Sequence, residues 1–121
     1  MGAFNWFAVK ETCPRCLVSS ELTFQLYVAS SYAGDNTGRF HDRTYQLGDT
    51  LAWWSRDDKR FADWTGGLSS HSGCVTDVCY GKCPSCNSDL LCDLDVCELK
   101  LLGYRNLRVD VLGMRCGDSS S

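Results

Sequence analysis

The amino-acid sequence predicts a mainly β protein: a small antiparallel β-domain with at most one short helix. Three observations predict it. Apolar and polar residues alternate over several short segments, the period of a half-buried strand. Stretches rich in Gly, Ser, Asn and Asp separate those segments. Two Cys-Pro-x-Cys turns, at 13–16 and 83–86, each follow a strand-like segment and would clip the N-terminal strand to the C-terminal hairpin.

Residues 4–9 form a short apolar run, enough for a first strand that leads into Cys13-Pro14-Arg15-Cys16. Over 21–29, Leu22, Phe24, Leu26 and Val28 alternate with Thr23, Gln25 and Tyr27, which predicts a strand with one buried face. Residues 30–43 are polar, contain Gly34, Asp35, Asn36 and Gly38, and read as a loop. Strand character returns over 45–53, broken by a Gly48-Asp49 turn. Ser55 followed by Asp58 resembles a capping box, so 55–64 could hold the one short helix. Residues 66–73 are a Ser- and Gly-rich connector. Residues 74–80 predict a strand feeding Cys83-Pro84-Ser85-Cys86. A last hairpin is expected from 90–102 and 107–112, turning near 103–106, with Leu107, Val109 and Val111 alternating with Arg108 and Asp110. The polar tail 117–121 is expected to be disordered, leaving 1–116 as a single domain. No internal repeat is legible beyond the two Cys-Pro-x-Cys turns.

The chain of 121 residues suits one domain with a modest core. Its 12 basic and 15 acidic residues are balanced, and a net charge of -3 provides no electrostatic footprint for nucleic acid or anionic lipid. Basic residues never form a run. No stretch has the length of a membrane-spanning helix. The first ten residues lack a basic start and a long apolar run, so no signal peptide is expected. Met1-Gly2 would permit myristoylation, but Trp6 stands where that signal needs Ser or Thr. A cytoplasmic protein without membrane association is expected, a mature secreted chain being the alternative.

Nine cysteines dominate the chemistry. Nine is odd, so a full disulfide framework would leave one over, and clustered cysteines in a reducing compartment more often bind metal. A Cys-x-x-Cys turn sets two sulfurs on one side of a tight loop, and its backbone amides can offset thiolate charge. Proline after the first cysteine fixes one φ angle of that turn. Two such turns supply four sulfurs, Cys13, Cys16, Cys83 and Cys86, which matches tetrahedral zinc. A rubredoxin-type iron site cannot be told from zinc by this spacing and is the less favoured ion. A thiol redox pair is also open, although the βαβ pattern usual for one is absent.

These two turns resemble the paired knuckles of zinc-ribbon and rubredoxin-like domains. In that class each knuckle follows a strand, and a β-hairpin follows the second. The resemblance covers about a third of the chain and implies metal-ligand roles for Cys13, Cys16, Cys83 and Cys86 only. It departs from the class in two ways. Leu17 and Asn87 replace the usual glycine after each knuckle; Asn tolerates the left-handed conformation and Leu does so poorly. The 66 residues between the knuckles also exceed a minimal ribbon. The resemblance therefore implies a divided zinc ribbon holding a small β-domain shut.

Cys74, Cys79, Cys92 and Cys97 surround the second knuckle. They could form a second tetrahedral set, making two zinc ions rather than one, or they could be small buried hydrophobes on strands. His71 stands at ligand-like spacing before Cys74, and Cys116 is expected to be unpaired. His41 beside Asp42 has the residue types of a general-base pair, but sequence neighbours seldom meet in that geometry. No nucleophile motif is present, and Gly66-Gly67 lacks the Lys-Ser/Thr of a phosphate loop. Trp53, Trp54, Arg56, Arg60 and Trp64 lie within twelve residues. Aromatic residues mixed with arginine suit a protein-binding hot spot, and so this segment is a candidate partner surface.

The function expected is that of a non-enzymatic, zinc-stabilised binding protein acting through protein–protein contact, an adaptor or immunity-type protein. Two alternatives stand beside it. One is a nucleic-acid-binding zinc ribbon that stacks bases on Trp53 or Trp54, which the net charge disfavours. The other is a thiol redox protein using Cys13/Cys16 or Cys83/Cys86.

Overall fold

A computed structural model describes residues 4–35, 38–68, 70 and 72–110. The chain runs β1 (Asn5–Thr12), β2 (Ser19–Leu26), β3 (Ser31–Asp35), β4 (Gly38–Phe40), β5 (Thr44–Tyr45), a 3₁₀ helix (Lys59–Thr65), β6 (Cys74–Lys82), β7 (Asp89–Cys97) and β8 (Lys100–Val109). Six strands form one sheet in the order β5-β1-β2-β6-β7-β8, and β3 pairs with β4 in a separate ribbon. The fold is mainly β with one short helix, as expected. The sheet is mixed rather than purely antiparallel, because the two-residue β5 pairs parallel to β1.

Period-two alternation decides which side chains go inside. Phe7 from β1, Leu22, Phe24 and Leu26 from β2, and Leu90, Cys92, Leu94 and Val96 from β7 form the core. Phe7 and Phe24 are direct cross-strand partners and stack with ring centroids 5.3 Å apart. The seam between β2 and β6 admits only glycine at one point. A Cβ on Gly81 would lie 2.5 Å from the Thr23 carbonyl oxygen and 2.9 Å from the Phe24 ring.

The sheet curls until its ends are bridged. Just after β5, the Gly48 amide donates to the Leu101 carbonyl (2.8 Å), the Leu101 amide to Asp49 (3.0 Å), and the Leu51 amide to Leu99 (2.6 Å). Farther along, the Tyr104 hydroxyl of β8 donates to the Glu11 carboxylate of β1.

Three expectations are corrected. Residues 30–43 are not simply a loop, since they contain β3 and β4. The buried Asn5 amide organises this excursion, donating to the carbonyls of Ala29 (3.0 Å) and Phe40 (3.3 Å) and accepting from the Arg43 amide (3.0 Å). Asp58, not Ser55, caps the helix, its carboxylate accepting from the Arg60 amide. The last hairpin turns at Glu98–Leu99 rather than at 103–106. Both turn residues have positive φ, 48° and 71°, and β8 runs on through 103–106 with a shifted register against β7. This turn carries neither Gly nor Asn, the residues that mark such turns in a sequence. The expected tail 117–121, Cys116 and His71 lie outside the described residues.

Candidate metal centre

Each knuckle is the tip of a two-stranded hairpin, and the two hairpins are built alike. In β1–β2 the ladder runs from Asn5↔Leu26 to Thr12↔Ser19; in β6–β7 it runs from Cys74↔Cys97 to Lys82↔Asp89. Adding 70 to the residue numbers of the first hairpin gives the register of the second. The repeat legible as two short motifs is thus a repeat of whole hairpins, hidden because only the Cys-Pro-x-Cys residues are identical; elsewhere the match is of buried apolar positions, Phe24 with Leu94 and Leu26 with Val96.

The knuckles share the same local bonds. The Cys13 amide donates to the Val18 carbonyl (3.0 Å) and the Leu17 amide to the Cys13 carbonyl (2.9 Å); Cys83 with Ser88 (3.0 Å) and Asn87 with Cys83 (2.8 Å) repeat the pattern. The amides of Arg15 and Cys16 point at Cys13 Sγ, at 3.3 and 3.5 Å, and those of Ser85 and Cys86 point at Cys83 Sγ at the same distances. These oriented dipoles favour thiolate. The chain then leaves each knuckle through a left-handed residue, Leu17 at φ 63° and Asn87 at φ 62°.

The tertiary fold brings the two tips together. Cys13 Sγ lies 3.8 Å from Cys86 Sγ, and Cys16 Sγ lies 3.7 Å from Cys83 Sγ. All four sulfurs lie within 4.8 Å of one another. With metal–sulfur bonds near 2.3 Å, a tetrahedral site requires sulfurs about 3.8 Å apart, so the set fits a four-coordinate ion. Cys13 and Cys83 are buried, while Cys16 and Cys86 are half-buried.

The thiols are electrostatically unequal. Hydrogen bonds from the Ser88 hydroxyl and amide hold Cys86 down to about 6. The amides of Cys86 and then Ser85 lower Cys83. At Cys16 the Val18 amide favours thiolate, but burial and the sulfurs of Cys83, Cys13 and Cys86 outweigh it and push the thiol up to about 11. Val18 has no hydroxyl where Ser88 has one, which accounts for part of the difference between the two hairpins. Four thiolates this close repel one another, and a divalent cation would remove that repulsion.

The other four described cysteines do not converge. Cys74 and Cys97 are bonded as a disulfide on the outer face of the sheet. Cys79 and Cys92 are buried cross-strand partners on the inner face. The second tetrahedral set is therefore not assembled. The signal against it was available: 74 to 79 and 92 to 97 are odd separations, which place strand residues on opposite faces. Burial pushes Cys92 up to about 12 and raises Cys79 further, so both are neutral thiols within the core.

The Trp segment is packed rather than presented. Trp54 and Trp64 are buried, and Trp53 is half-buried with its indole N–H donating to the Phe61 carbonyl (2.9 Å). Phe40, Trp53 and Trp54 form one aromatic cluster with centroids 4.7–5.3 Å apart. Arg60 lies over Trp54 at 4.4 Å and pairs with Asp58; Arg56 lies over Phe61 and pairs with Glu98. The large exposed apolar side chains beside the metal centre are instead Leu17, 73% exposed, and Val18, 44% exposed. Sequence reading noted Leu17 only as a misfit in its turn.

Searches against protein-family models, curated proteins and solved structures find no match to this chain. Among the described residues, no helix is long and apolar enough to cross a membrane.

Proposed function

We propose that this chain is a non-enzymatic binding protein whose divided ribbon is held by one zinc ion on Cys13, Cys16, Cys83 and Cys86. The observation that carries the reading is the closed set of four sulfurs. A tetrahedral ion bound there has every corner filled by protein, the pattern of structural rather than catalytic zinc. The ion would supply cross-linking between two hairpins far apart in sequence, and its binding energy would become folding energy.

Protein–protein contact is the reading we favour for its action. Pro14, Leu17 and Val18 project from the first knuckle as an exposed apolar tip, whereas the matching tip of the second knuckle carries Asn87 and Ser88. Apolar side chains held on a rigid, metal-tied turn lose little entropy on docking. Base stacking on Trp53 or Trp54 is less well supported, because those rings are engaged in packing.

The test pairs elemental analysis with affinity capture. Wild-type protein should carry one zinc per chain and retain a protein partner in stoichiometric amount. Leu17→Ser/Val18→Ser should keep the zinc and lose the partner. Turnover of a small substrate by a protein that captures no macromolecule would overturn the proposal.

A further inference from the structure

We propose that Cys74 and Cys97 form a redox latch that governs closure of the curled sheet, independently of the metal centre. The pair joins the open end of the β6–β7 hairpin. Eight residue steps of strand separate Cys74 from Lys82 at the knuckle, a span of about 26 Å. The two ends of one hairpin are thus held by two different sulfur chemistries.

The backbone around the latch is where the sheet closes. Immediately after Cys97, the Glu98 amide donates to the Gly73 carbonyl (2.9 Å). Leu99 and Leu101 then make the three hydrogen bonds to the 48–51 segment that bridge the ends of the sheet. Between them the turn holds two non-glycine residues, Glu98 and Leu99, at positive φ. Such a turn is costly for L-residues unless its surroundings impose it. The Cys74–Cys97 bond fixes both strands at its base.

The repeat shows that a hairpin of this build does not need a covalent tie. The positions matching Cys74 and Cys97 in the first hairpin are Phe4 and Tyr27, which meet edge to face with ring centroids 5.5 Å apart. The disulfide therefore adds control of the 98–101 closure rather than hairpin formation as such. It is also accessible. Both cysteines line an outer groove of about 810 Å³ with Leu68, Val75, Leu102 and Tyr104. Cys79 and Cys92, by contrast, are sealed in the core.

The reaction is a two-electron exchange with a dithiol. A dithiol thiolate attacks one sulfur, the Cys74–Cys97 bond breaks, and the mixed disulfide is resolved by the second thiol of the reductant. The reductant leaves as its cyclic disulfide, having given two electrons and two protons, and Cys74 and Cys97 remain as thiols. In a reducing compartment the latch stands open; in an oxidising one it stands closed.

Dithiothreitol is the probe, read by amide hydrogen exchange and thiol-alkylation mass with zinc counted in the same samples. Air-isolated protein should show the pair closed. Reduction should accelerate exchange at the Gly48, Leu51 and Glu98 amides by about tenfold or more while leaving Phe24 and Leu94 protected, because opening there is local. Zinc content should not change. Cys74→Ala/Cys97→Ala should match the reduced protein and ignore dithiothreitol. Unchanged exchange at those three amides, global unfolding with metal loss, or a pair isolated as free thiols would each overturn the proposal. The wild-type comparison decides the matter even if the variant does not fold.

Discussion

Leu17 and Asn87 occupy one backbone conformation at matching points of two hairpins, φ 63° and 62°. The conformation brings Cβ close to the following carbonyl oxygen, a cost that the short polar side chain of Asn can offset by hydrogen-bonding to nearby backbone and that Leu cannot. Leu17 is also mostly exposed, so packing does not offset that cost. Leu17→Gly should raise stability by about 1 kcal/mol, and Asn87→Leu should lower it by a similar amount. Thermal denaturation of the two variants measures both. If Leu17→Gly were destabilising, the exposed leucine would have to contribute packing that its exposure does not indicate.

Replacing any one of Cys13, Cys16, Cys83 or Cys86 by Ser should abolish stoichiometric metal and with it cooperative unfolding, since an ion held there would join hairpins 70 residues apart. Cys79→Ala and Cys92→Ala should each keep one metal per chain and lose only about 1 kcal/mol from a small core cavity. Native mass spectrometry separates the two classes. Metal loss from a Cys79 or Cys92 variant would show that the core thiols take part in the site.

Gly81→Ala should be among the more damaging conservative changes, costing about 1–3 kcal/mol. The new methyl would meet the Thr23 carbonyl and the Phe24 ring at the β2–β6 seam, where backbone rather than a flexible side chain must give way. Denaturant unfolding compares it with Gly103→Ala, where a Cβ meets nothing within 4 Å. Equal effects at the two positions would place the seam elsewhere.

Asp77 supplies a pH signature. Burial raises its carboxyl above the ordinary 3.8, more than the hydrogen bonds from the Tyr27 and Val28 amides lower it. The native state therefore binds this proton more tightly than the unfolded state. Its penalty is absent below pH 3.8 and grows as pH rises through that value to the higher native one. Asp77→Asn keeps an oxygen for both amides, so its melting temperature should exceed wild type at neutral pH, with the gain vanishing in acid. A gain that persists below pH 3.8 would mean that the charge is not its source.

Much of this architecture was legible from local pattern. Leu22, Phe24 and Leu26 declare β2 because alternation is a property of a single strand. Cys13-Pro14-Arg15-Cys16 and Cys83-Pro84-Ser85-Cys86 declare two turns able to hold a metal because four adjacent residues suffice to aim two sulfurs. Other features depend on partners distant in the chain, and only the tertiary structure decided them. The β3–β4 ribbon rests on the buried Asn5 amide, 24 to 38 residues away in sequence from the backbone groups it bonds. The Glu98–Leu99 turn lacks the residues that advertise such a turn; it is flanked by the Cys74–Cys97 disulfide and hydrogen-bonded to the 48–51 segment, both formed with residues distant in sequence. Trp54 and Trp64, placed among charges in sequence, are buried by distant partners: Trp64 joins the core of the curled sheet, and Trp54 packs on Phe40 of the β3–β4 ribbon with Arg60 over its ring. The nine cysteines show the division most plainly. Sequence spacing alone pairs Cys13 with Cys16 and Cys83 with Cys86, whereas strand register sends Cys74 and Cys97 outward to a disulfide and Cys79 and Cys92 inward to the core, because successive residues of a strand must face opposite sides of the sheet.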